Sequence, residues 1–88
     1  MSRRQKFVDQ LLSGQHDHTI DFAALCALLL SLGFEQRIRG SHHIFGRTGI
    51  AEIINLQPGP SGAAKPYQVK QVRTLLLTHQ AALNLPIN

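Results

Sequence analysis

Two adjacent imidazoles, His42 and His43, directly follow a glycine and a hydroxyl, Gly40 and Ser41. Histidine takes up and returns a proton near neutral pH, so such a pair can supply both the base and the acid of a proton-transfer reaction. Arg37, Arg39 and Arg47 stand around the pair in sequence, and Lys65, Lys70 and Arg73 come later, a set of cations suited to phosphate oxygens. RNA carries a 2′-hydroxyl beside every phosphate, and cleaving it requires a base, an acid and charge stabilisation. Nine Lys and Arg against five Asp and Glu give a formal charge of +4, which favours an anionic partner. Gly40 lets the backbone turn tightly, and the Ser41 hydroxyl can donate to a phosphate oxygen. The His16-Asp17-His18 segment reads as a linker rather than a metal site, and neither a metal nor another cofactor is expected.

The elements that must position these residues follow from spacing. Ser2 stands three residues ahead of Gln5, as in a capping box, and Phe7, Val8, Leu11 and Leu12 form an apolar stripe, so a first helix is expected to end near Ser13-Gly14. A polar linker leads to Asp21, which can cap a second helix over Phe22 to Leu32, apolar almost all round and stopped by Gly33. The period then changes to alternation: Phe34, Gln36 and Ile38 against Glu35, Arg37 and Arg39. A turn at Gly40-Ser41, a short strand His42 to Phe45, a turn over Gly46 to Gly49 and a buried strand Ile50 to Leu56 complete an antiparallel meander. Prolines and glycines between Gln57 and Ala64 mark a flexible loop without regular structure. A last helix starts at Pro66, carries Val69, Val72, Leu75 and Leu76 inward and is limited by Pro86, with Tyr67 at its start read as a packing residue in preference to a ring that stacks on a base. The expectation is one α+β domain over residues 1–88: an N-terminal helix and linker over 1–19, a core over 20–80 and a tail over 81–88. Helices gathered on one face would leave the other face of the sheet open.

Leu32-Gly33-Phe34, the run Arg37 to Phe45 with its Gly40-Ser41-His42 core, and the closing stretch Lys65 to Val72 together resemble the HicA toxin family, over roughly residues 21 to 78. The resemblance implies a fold like that of the double-stranded-RNA-binding domain, here with an extra N-terminal helix. It implies an endoribonuclease, an mRNA interferase that cuts mRNA without a metal and is silenced by a HicB-type antitoxin. On that reading His43 and His42 are the catalytic candidates, with Gly40, Ser41, Arg37, Arg39, Arg47, Lys65 and Lys70 contacting RNA.

Successive strand residues point to opposite faces, so one of the two histidines faces substrate. If Ile44 packs on the helices, then His43, Phe45 and Arg47 share the open face as base, stacking ring and cation, which favours His43; the family pattern stresses its first histidine, which keeps His42. The alternative reading is a non-catalytic RNA-binding module of the same fold, held to RNA by phosphate contacts alone. Cys26, the lone cysteine, sits among apolar neighbours as a buried thiol, and the basic start is broken by Asp9 and Gln10 before any signal-peptide core, so a cytoplasmic protein with no membrane segment is expected.

Overall fold

The computed structural model describes residues 2–85. Ser2 begins the chain's first helix, α1 (Arg3–Ser13), accepting a hydrogen bond from the Gln5 amide at 3.0 Å. Half of the capping box forms, because the Gln5 side chain turns forward to Asp9 rather than back to Ser2. Asp21 caps α2 (Phe22–Ser31) through the Ala24 amide at 3.0 Å. Each such cap satisfies an amide that the helix itself cannot, worth about 1 kcal/mol. Then come β1 (Glu35–Arg39), β2 (His42–Arg47), β3 (Ile50–Leu56), a single 3₁₀ turn at Pro60–Gly62, and α3 (Pro66–Thr78).

The three strands form an antiparallel sheet in the order β1-β2-β3, so the architecture is α+β, with three helices beside one small sheet. Gly40, at φ 58°, opens the two-residue connection between β1 and β2, supplying the positive φ that matches a tight hairpin to strand twist. That connection sets the register: Arg39 faces His42, Ile38 faces His43, and Gln36 faces Phe45. On the other side Phe45 pairs with Ile54 and His43 with Leu56. Phe45, Ile54 and Leu56 are buried in one apolar cluster with Leu25 and Leu29 of α2, Val69, Val72 and Leu76 of α3, and Val8 and Leu11 of α1. The helices therefore cover a single face of the sheet, and Arg37, Arg39, Ile53 and Asn55 are exposed on the other.

Several expectations change. β2 runs on to Arg47, and the turn after it shrinks to Thr48-Gly49, with the ladder shifting register between Phe45 and Arg47. The 57–64 segment holds regular structure after all: a 3₁₀ turn and an internal bridge, Pro58 to Ala64, order it, and the bridge Asp21 to Ala63 ties it to the start of α2. Tyr67 is 60% exposed rather than packed at the start of α3. α3 stops at Thr78 with His79 as its cap; Pro86, expected to limit it, lies outside the described residues, as does the end of the 81–88 tail. Cys26 is buried, and its desolvation pushes the thiol pKa up. Among the described residues no helix is long and apolar enough to cross a membrane.

Candidate active site

The face assignment of the two histidines is the reverse of the one expected from an inward Ile44. Phe45 is fully buried, so His43, two residues before it, points to the helix side as well. There the His43 ring meets the Phe22 ring edge-on, centroids 4.9 Å apart, and its Nδ1 lies 3.0 Å from Gln36 Oε1. His43 is thus half-buried and held on both sides. His42 stands on the open face with Arg37, Arg39 and Ile44, at the end of β2 where the chain emerges from the Gly40-Ser41 turn.

His42 is gripped at both ring nitrogens. Nδ1 lies 3.1 Å from Asn55 Oδ1, and Nε2 lies 3.0 Å from Gln57 Nε2. Lys65 Nζ donates to Gln57 Oε1 at 2.8 Å. An ammonium can only donate, so that bond identifies the oxygen of the Gln57 amide and leaves its N–H group facing His42. Gln57 therefore donates to Nε2, Nε2 is the unprotonated nitrogen, and Nδ1–H donates to Asn55. The chain Lys65–Gln57–His42–Asn55 fixes the ring, with Nε2 on the Gln57 side and Nδ1 on the Asn55 side. Ser41 Oγ lies 3.5 Å from the same Gln57 nitrogen. The Gln57 backbone is fixed in turn, its amide donating at 3.0 Å to Oε1 of the buried Gln68.

The other cations expected to meet phosphate divide into two groups. Arg37 and Arg39 are exposed beside His42, and Lys70 lines a groove between β3 and α3 together with Asn55 and Tyr67. Arg47 is at the far end of β2, where its Nε donates to the Leu32 carbonyl at 2.9 Å, closing the end of α2. Arg73 is not beside the others either. Its guanidinium makes a two-point contact with Asp17 at 2.7 and 3.1 Å and also donates to the Leu11 carbonyl, so it staples the α1–α2 linker to α3. The Arg73 hydrogen bond holds the Asp17 carboxyl below its usual pKa. Glu52, on the helix side of β3, meets His79 at 3.0 Å, and that hydrogen bond holds its carboxyl below the usual range too.

Residue type alone does not single out Asn55 and Gln57 as site residues, yet their spacing carries a signal. If Ile54 and Leu56 face inward, Ile53, Asn55 and Gln57 alternate outward along the same strand. Among the described residues no three His, Cys, Asp or Glu side chains converge. Compared with known protein families, curated proteins and solved structures, the chain matches none.

Proposed function

We propose that this chain is an endoribonuclease of the HicA toxin type, acting on mRNA in the cytoplasm, with His42 as its general base. The observation that carries the reading is the Lys65–Gln57–His42–Asn55 chain, which presents an unprotonated Nε2 on an open, cationic sheet face. In the reaction an RNA 2′-hydroxyl takes the place of the Gln57 amide at Nε2. Nε2 accepts the hydroxyl proton, O2′ bonds to the adjacent phosphorus, and the bond from phosphorus to O5′ breaks. The leaving O5′ takes a proton from solvent, leaving a 2′,3′-cyclic phosphate and a 5′-hydroxyl end. Lys65, once Gln57 moves aside, supplies a cation for the charge that builds on the phosphate oxygens. Arg37, Arg39 and Lys70 track the flanking phosphates, and Ser41 donates to one of them.

The order α2-β1-β2-β3-α3 supports a likeness to the double-stranded-RNA-binding domain, with α1 added in front. The Gly40-Ser41-His42-His43 resemblance brings with it a HicB-type antitoxin as the silencing partner. Arg47 drops out of the proposed RNA contacts because the Leu32 carbonyl engages it, and His43 becomes a packing residue.

The test is incubation with long single-stranded RNA in excess chelator, comparing the wild type with His42→Ala and His43→Ala. Cleavage in the wild type that disappears in His42→Ala supports the proposal; equal cleavage by His42→Ala overturns it. RNA that is retarded but never shortened points instead to the non-catalytic binding module, a reading favoured by Gln57 occupying Nε2 at rest.

A further inference from the structure

Away from the sheet, α1 and α2 bound a groove of about 520 Å³ whose floor is apolar. Phe7 of α1 and Ala24, Ala27 and Leu28 of α2 line it, the last three at the i, i+3, i+4 spacing of one helical stripe. The two alanines make the valley, and Ala27 is exposed at its bottom. Arg3, Arg4 and Lys6 line the same groove, and among the described residues none of the three pairs with a carboxylate. These cations crowd the first turns of α1, which contain no acidic residue in the first turn. A helix N-terminus carries partial positive charge, so cations there weaken the helix. Stability of α1 therefore gives no account of them.

We infer that the α1–α2 groove docks an acidic amphipathic helix of a protein partner, its apolar ridge on Phe7, Ala24, Ala27 and Leu28 and its carboxylates against Arg3, Arg4 and Lys6. The concave apolar floor suits the ridge of a third helix, as in helix-in-groove recognition. Charge complementarity selects the partner's sign. A second copy of this chain lacks the matching face: of its five carboxylates Asp17 is tied to Arg73, Glu52 to His79, Asp9 to Gln5, and Asp21 caps α2, which leaves Glu35, on a strand rather than a helix, while α3 carries Lys70 and Arg73 and no carboxylate.

The test uses the isotope-labelled full chain and a synthetic helical peptide of about four turns, with leucines along one face and glutamates flanking them. Saturable binding is expected, with amide shifts confined to α1 and α2. Ala27→Glu, at an exposed position in a good helix former's place, is expected to weaken binding about tenfold or more. Arg3→Glu combined with Arg4→Glu is expected to raise the melting temperature, by reversing the clash with the helix dipole, while abolishing binding. Any of four results overturns the inference: no saturable binding, equal affinity for the same peptide with lysines replacing its glutamates, shifts mapping to the sheet face, or phosphatidylserine vesicles binding with the same dependence on Arg3 and Arg4.

Discussion

His42 and His43 are neighbours in the chain with opposite surroundings, and substitutions should separate them. His42→Ala removes an exposed ring, so cleavage should vanish while stability changes by less than about 0.5 kcal/mol. His43→Ala removes the edge-on contact with Phe22 and the bond to Gln36, and should cost about 1–2 kcal/mol with activity retained in the folded fraction. Urea unfolding beside a gel assay reads both. Gln57→Glu makes a second prediction. A carboxylate would accept from Lys65 and from an Nε2–H, turning the basic nitrogen of His42 into a donor. Cleavage should fall by about tenfold or more, which a gel assay of long RNA measures.

Among the elements, the linker between α1 and α2 has more than a spacing role. Asp17 and Arg73 are 20% and 16% exposed at their side chains, and Arg73 also reaches the Leu11 carbonyl, so one guanidinium joins α1, the linker and α3. Arg73→Ala should destabilise the fold by about 2 kcal/mol without altering RNA affinity, since it strips charged hydrogen bonds and leaves a partly buried carboxylate alone. The pair also sets a pH dependence. Asp17 has a lowered pKa in the folded state, so its contribution is complete above the unfolded value of about 3.9 and is lost as pH falls through the lower folded value. Melting curves from neutral pH to pH 3 should show a steeper acid loss for the wild type than for Asp17→Asn. Glu52 beside His79 has the same sign but is too exposed to weigh comparably.

At the scale of the whole molecule the positive charge is parcelled out. Arg37 and Arg39 are exposed on the open sheet face, Arg3, Arg4 and Lys6 line the α1–α2 groove, and Arg47 and Arg73 hold the fold together. A change to Ala at Arg39 should weaken RNA binding and reduce the slope of log affinity against log salt by about one phosphate contact. Arg47→Ala should leave that slope unchanged and instead lower the melting temperature. Fluorescence anisotropy across a salt series distinguishes the two.

Local chemistry was legible from the start. The Ser2 and Asp21 caps, the apolar α2, the change to alternation after Gly33 and the Gly40-Ser41 turn all depend on residues within a few positions of one another, and the sequence alone determined them. Even the face of His43 lay within reach: with Phe34 inward and a two-residue turn at Gly40-Ser41, Gln36 must oppose Phe45 and Ile38 must oppose His43 on that same side. Ile44 and Phe45 are both apolar, so composition gave no hint of which faces in, and cross-strand pairing decides it. Tertiary structure alone decided the rest. Gln57 reaches His42 across 15 residues, and Arg73 reaches Asp17 across 56. Such contacts depend on how helices and strands stack against the shared core, and no local spacing encodes where two distant polar side chains will meet.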